Sequence, residues 1–464
     1  MLILSRWGEG DFTKLTTANY DEFCEAIPYA GLSHTFRDAI EIARRFGVTH
    51  VWIDSLCIIQ NDRGDWEKES AKMSDVYKGS TLNIAATAAS CLDDGYMKDR
   101  DTLYAQAGRI TASSGIIFRY VDHSIYYNNL QSAKSAPLWY RGWVVQERFL
   151  APRTLHLAET QLFWECHSKT KCETFPVEVP ETFKAMKTDT APPEPIQRDW
   201  PDILEQYTGC RLTFSSDRLV AIAGVAEDFA MRTSMTYRAG LWLEHILTDT
   251  CWIVYGFPRS RSMPREGTTF PSWSWAAHDG VMRIPSHDSI ILRQFVTMTI
   301  ESTYSTDNRF GDVVSARLLC KSAHLKVITN KLQRFNSTFK LFKLHERDII
   351  CDIHMDVYPP VEVEGLILFL PIVIIRHETK NGIIGPSLHG LILQRIDSCK
   401  GHYQRLGQMQ IPVDEDFLQK SSANFVDVLA ASNKSVFATF FDESDCISKR
   451  TDDDGRICYS IAVL

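Results

Sequence analysis

The sequence predicts an α/β protein: a parallel sheet with flanking helices, followed by a helical segment and a mostly β carboxy-terminal region. Three observations predict it. The run from Val51 to Asp54 is short, continuously apolar and ends on a carboxylate, as a buried parallel strand does where it leaves its sheet. Helical patterns alternate with this run and with two other short apolar runs, giving strand, helix, strand, helix, strand, the rhythm of right-handed βαβ units. Beyond about Ser286, β-branched runs are separated by charged or Gly-containing turns.

Leu2 to Ser5 reads as a very short strand, with Trp7-Gly8 in a turn, and a helix is expected from about Thr17 to Ala26. Ser33 caps a second helix, in which Phe36, Ala39, Ile40, Ala43 and Phe46 recur at helical spacing and Gly47 provides the stop. After the Val51 to Asp54 strand, a helix from Asp65 to Lys78 stacks Trp66, Met73 and Tyr77 on one face and sends Glu67, Lys68 and Asp75 to the other. Glu69 falls at the edge of the apolar face. Thr81 to Ala86 is a third apolar strand, Arg141 to Leu150 a helix, and Thr154 to Leu157 with Gln161 to Glu165 a hairpin. Residues 176 to 201 are Pro-rich and read as a linker. Beyond it, Ser215 or Ser216 is expected to cap a helix, Ala239 to Val254 to form a Trp-rich helix, and Pro271 to Trp275 a strand. The domain division read from this pattern is 1–170, 171–285 and 286–464.

Composition narrows the function classes. A net charge of −8 over 464 residues argues against nucleic acid as the main partner, because phosphate binding needs clustered Lys and Arg. The longest apolar run, Gly365 to Ile375, is too short to span a bilayer and contains Pro371, so a core strand is expected and no membrane span. No secretory signal is visible, and twelve scattered Cys without a CxxC pair suit reduced thiols, so a cytoplasmic protein is expected. Cys166, His167 and Cys172 have poor spacing for zinc, and no metal is expected. The absence of a G-x-G-x-x-G or Walker loop argues against a dinucleotide dehydrogenase or an ATPase.

The candidate chemistry gathers where Asp54, Cys57 and Glu69 flank one strand-to-helix connection, the position at which open α/β sheets place ligands. Each residue also has a plain structural reading. Glu69 suits the helix dipole as an early-turn acid, Asp54 can cap the next loop, and Cys57 can be a small packed residue with no His in its motif. Trp52, Trp66 and Trp143 read as core, while Arg141 and Glu147, on one helix, read as braces to the next segment.

Several phrases together resemble the fungal heterokaryon-incompatibility (HET) domain. They are Leu4-Ser5 with Trp7-Gly8, Thr35 with Asp38-Ala39-Ile40, Trp52 to Gln60, Asp65-Trp66 with Glu69, Met73 and Val76-Tyr77, and Arg141-Gly142-Trp143 with Gln146-Glu147. The first phrase is one residue short, since only Arg6 separates Ser5 from Trp7. The resemblance implies a TIR-like, flavodoxin-like fold and a role in non-self recognition and programmed cell death, with NAD as a substrate cleaved at its nicotinamide bond. It further implies Glu69 and Asp54 as catalytic residues and Ser5, Trp7, Cys57, Gln60 and Trp66 as substrate-binding ones. No cofactor is required beyond NAD as substrate. The partner expected is a small-molecule or nucleotide ligand, and a homo-oligomer is compatible with the sequence. The alternative expectation is a HET-like enzyme of specialised metabolism acting on a small organic substrate by cyclisation, rearrangement or hydrolysis. The shortened first phrase and eleven Trp motivate it.

Overall fold

The computed structural model describes residues 1–4, 12–89, 91–92, 94–95, 100, 108–120, 137–159, 161–177, 199–255, 270–305, 308–328, 338–344, 347–356, 366–379, 382–396, 399–413, 437–438, 445–451 and 456–464. These fall into two compact units. The first holds Met1–Asp199, Cys210–Thr213 and Val220–Val225; the second holds Trp200–Gly209, Phe214–Leu219 and Ala226–Leu464.

In the first unit, β1 (Leu2–Leu4) and α1 (Tyr20–Glu25) precede α2 (His34–Arg45), the single turn α3 (Asp54–Cys57) and α4 (Arg63–Lys78). Next come β2 (Asn83–Ala85), a hairpin of β3 (Gly108–Thr111) and β4 (Ile117–Tyr120), α5 (Gly142–Leu150), β5 (Arg153–Leu157), β6 (Leu162–Cys166) and β7 (Thr170–Cys172). The main sheet runs β1-β2-β5-β6-β7, with Trp52 bridging to Leu2 on the outer side of β1. The β1–β2 and β2–β5 pairings are parallel, whereas β5–β6 and β6–β7 are antiparallel. The sheet is therefore mixed, not wholly parallel. A short connection can join antiparallel neighbours directly, and few residues separate Leu157 at the end of β5 from Leu162 at the start of β6.

Local chemistry explains the helices. The Ser33 hydroxyl accepts a bond from the Phe36 amide and caps α2, whose Phe36, Ala39 and Ala43 are buried. The start of α4 lies two residues before the expected Asp65 because Asp62 is the cap, accepting from the amides of Gly64 and Asp65. Val51 to Asp54 does not form an extended strand. Only Trp52 bridges, and Asp54 opens α3 by accepting the Ser55 amide on its own carboxylate at 2.8 Å, which turns the chain into a helical turn at once.

The second unit is rich in strands. A 12-stranded sheet is built around three long antiparallel strands, Ile367–Thr379, Gly382–Arg395 and His402–Pro412. Pro371 sits inside the first of these at a register shift, where the ladder tolerates its missing N–H, and the run is core as expected. No helix among the described residues is long and apolar enough to cross a membrane.

Two expectations fail here. Ala239 to Val254 is not one helix: Ala239 and Gly240 take φ of 47° and 99° and turn a two-residue hairpin between Tyr237–Arg238 and Leu241–Trp242. Pro271 to Trp275 is a turn leading into a 3-10 helix, Trp275–Ala277, because the Ser274 hydroxyl accepts the Ala276 amide and donates to the Ala239 carbonyl. Trp200, Trp242, Trp252, Trp273 and Trp275 are all fully buried and form core.

Arg405 ties this unit together. Its buried guanidinium forks onto Asp356 at 2.8 and 3.1 Å, donates to the Thr250 and Trp252 carbonyls, and lies 3.3 Å from the Trp252 ring centroid. Removing the counter-charge would leave an uncompensated cation in the core. Asp356→Ala is therefore expected to destabilise the protein by about 3–5 kcal/mol in urea denaturation; a loss below about 1 kcal/mol would show that the carbonyls alone suffice.

Candidate functional site

The connection from Trp52 to α4 is fastened from several sides. Asp65 accepts the Ile59 amide at 2.8 Å, and Gln60 donates to the carbonyls of Ile58 and Asp54. The segment ahead of α1 closes over it, with the Leu15 amide bonded to the Ser55 carbonyl and the Gln60 amide bonded to the Leu15 carbonyl. Gln60 thus holds the loop's own backbone. Trp66 joins an apolar cluster with Leu2, Ile58, Met73, Tyr77 and Leu150, with Trp52 and Trp143 packed against it. All three Trp are partly buried and pack against that cluster.

Three of the expected site residues come together. Burial pushes the Cys57 thiol up from its ordinary value, and the nearby charges of Asp54 and Glu69 add to the effect. Asp54 and Glu69 therefore both lie near one thiol. Glu69 retains 25 % side-chain exposure and pairs with Lys72 one helical turn on, at 2.8 Å. Ser5 and Trp7 lie outside the described residues.

A fourth group extends the cluster. Glu147, on α5, is buried, and burial pushes its carboxyl up from 4.5 to about 8. The Arg141 guanidinium opposes this rise, the Asp54 charge reinforces it, and the Tyr77 hydroxyl bonded to the carboxyl opposes it. Tyr77 is itself held well above its ordinary range by burial and then by Glu147 and Asp54. Asp54, Tyr77, Arg141 and Glu147 are thus one electrostatic group, adjoining Cys57 and Glu69 where the chain leaves the Trp52 bridge.

The geometry of α5 puts Glu147 there. Successive residues of an α-helix point about 100° apart, so adjacent side chains reach different neighbours. The Gln146 side chain accepts the Gly224 amide at 2.7 Å, and a Cβ on Gly224 would meet Leu150 at 2.9 Å and Ser74 at 3.0 Å. Arg148 forks onto Glu165 at 2.8 to 3.1 Å and lies over Trp139, 4.3 Å from its centroid. Burial alone would raise Glu165; Arg148 and His156 override it and hold the carboxylate at about 2. His156 completes a chain, 3.0 Å from Glu165 and 3.1 Å from the Thr87 hydroxyl. At the start of the helix, the Gly142 amide donates to the Arg211 carbonyl and the Arg211 amide to the Tyr140 carbonyl.

The sequence signal for the burial of Glu147 is its setting in GWVVQERFL, where three polar residues interrupt a helix that is buried nearly all round.

Comparison with protein families finds that residues 3–147 match the family described as Heterokaryon incompatibility protein (HET). The matched span begins in β1 and ends on Glu147, enclosing the whole cluster. The amino-terminal part of the chain is thus similar to the HET domain, over less than a third of the 464 residues. Searches of curated proteins and of solved structures return no match.

The two buried carboxyls give opposite pH signatures. Between about pH 4.5 and 8 an unfolded Glu147 has lost its proton while the folded one keeps it, so the folded state binds more protons and stability falls as pH rises, by up to about 1.4 kcal/mol per unit. Glu165 acts the other way: its stabilisation is present above 4.5 and is lost as pH falls towards 2. Relative to wild type, Glu147→Gln is expected to gain stability steadily from pH 5 to about 8 in urea titrations. A difference independent of pH would show an ionised Glu147 in the fold.

Proposed function

We propose that the chain is a HET-domain protein of non-self recognition whose amino-terminal unit hydrolyses NAD at the nicotinamide bond. The supporting observation is that the charges of Asp54 and Glu69 both act on the Cys57 thiol, at the strand-to-helix connection within the span that matches the HET family. Cleaving the ribosyl C1′–N bond passes through an oxocarbenium-like state, and carboxylates facing the ribose stabilise the positive charge as it develops. Glu69 serves that charge. Its pairing with Lys72 holds the side chain without burying it, so it stays open to a ligand. Asp54 takes the proton from the attacking water. Nicotinamide leaves with the bonding electron pair as a neutral molecule and needs no proton, and NAD is consumed as substrate.

The test is nicotinamide release from NAD by the purified chain. Wild type is expected to release it, and Glu69→Gln and Asp54→Asn to lose activity by about 100-fold or more. No release by wild type, or undiminished release by Glu69→Gln, would overturn the enzymatic part of the reading and leave a signalling role for the domain.

A further inference from the structure

The segment from Thr17 to Gly31 is fastened at both ends and buries almost none of itself. The Thr17 amide donates to the Asn61 side chain at 2.9 Å and its hydroxyl accepts from the same side chain at 2.9 Å, while the Thr13 hydroxyl donates to the Gly31 carbonyl at 2.5 Å. Between these anchors every residue is exposed except Asn19 and Phe23, which are half-buried. The segment carries α1, a helix of 6 residues with no buried side chain and no side-chain cap. Helices shorter than about 12–15 residues are marginal in water, and packing within the chain adds little here.

Charge divides this face into two poles. Asp21, Glu22 and Glu25 lie on α1, and no Lys or Arg occurs from Leu15 to Ser33. Asp21 and Glu22 suit the helix start, but Glu25 stands in the last turn, where the helix dipole favours a cation. Tyr20, Ile27 and Tyr29 are exposed beside these acids. The second pole is the end of α2, where Arg44 and Arg45 are exposed and Phe46, just beyond the helix, is 58 % exposed. Arg45 pairs with Glu41 at 3.0 Å, a surface pair that is readily exchanged. The Arg44 guanidinium lies 5.9 Å from the Tyr29 ring centroid and so joins the two poles. The chain between Glu25 and Tyr29 spans at most about 14 Å, which keeps the acids close by.

We propose that this face binds a second copy of the chain about a two-fold axis near Tyr29, with α1 of each copy set against Arg44, Arg45 and Phe46 of the other. A two-fold contact requires a patch that is complementary to itself. An acidic pole and a basic pole with apolar side chains between them meet that requirement, because a half-turn sets each pole on its opposite. A face of one sign would repel its copy. The contact covers Tyr20, Ile27, Tyr29 and Phe46, and it brings Glu25 the cation that its end of α1 favours. It also bears on the candidate site, since the Leu15 and Gln60 backbones tie the same segment to the loop that carries Cys57. The inference does not depend on NAD as the substrate.

The experiment measures the mass of the full chain by sedimentation equilibrium over a range of concentration and salt. Wild type is expected to dimerise, and less tightly as salt rises. Glu22→Lys with Glu25→Lys in one variant, and Arg44→Glu with Arg45→Glu in another, are each expected to weaken association by about tenfold or more. An equimolar mixture of the two variants is expected to regain the dimer, because each reversed pole then meets its opposite. A wild type that stays monomeric at its highest soluble concentration would overturn the proposal and turn the search to a basic partner of another kind. A dimer that both variants retain, or a mixture that stays monomeric, would overturn it as well. None of the four side chains is buried, and far-ultraviolet circular dichroism checks that each variant keeps its fold.

Discussion

The forked pair between Arg148 and Glu165 is the contact on which the amino-terminal site depends. Arg148 has 3 % side-chain exposure and Glu165 12 %, so neither charge has much water to turn to. Their mutual bonds, the Trp139 ring and the His156 imidazole replace that water. The pair also fixes the rotation of α5 about its own axis. With Arg148 directed at β6, the helical step sends Gln146 to Gly224 and Glu147 towards Tyr77 and Asp54.

Glu147 and Glu165 show how packing assigns different jobs to one residue type. Both are buried and each has an Arg nearby. Glu165 lies in direct two-pronged contact with Arg148 and shares a His, so Coulomb attraction overcomes desolvation. Glu147 feels Arg141 as well, but burial is the larger effect and the Asp54 anion adds to it. The first is a fixed anion that organises the domain; the second holds a proton beside a half-buried carboxylate.

Much of this was legible in the sequence where the deciding physics is local. Ser33 and the Phe36 to Ala43 spacing define α2, and the apolar stripe of Met73 and Tyr77 defines the buried face of α4. The β-branched runs after Ser286 give the strand-rich carboxy-terminal region. The residues Asp54, Cys57 and Glu69 were legible as a group because one short loop joins their elements. Glu147 was not, because its partners come from α3 and α4, and no helical spacing on α5 reports them. The Ala239 to Val254 segment misleads for a similar reason. Its apolar content is that of a buried helix, yet Gly240 permits a left-handed turn whose closure depends on Trp275 and Ser274 from further along the chain. Gly240 was the available signal.

The carboxyl at position 147 is more than the fold requires. A glutamine has nearly the same volume and could meet the Tyr77 hydroxyl without the proton-linked cost that Glu147 carries as pH rises. Burying an acid beside Asp54 therefore lowers stability near neutral pH for no packing gain. Arg141 and the Tyr77 hydroxyl offset part of that cost by favouring the ionised carboxyl. Arg405 in the second unit makes the contrast plain. Its charge is matched by Asp356 and by two backbone carbonyls. A buried charge with its full complement of partners stays charged; a buried acid beside a second carboxylate holds its proton to a higher pH.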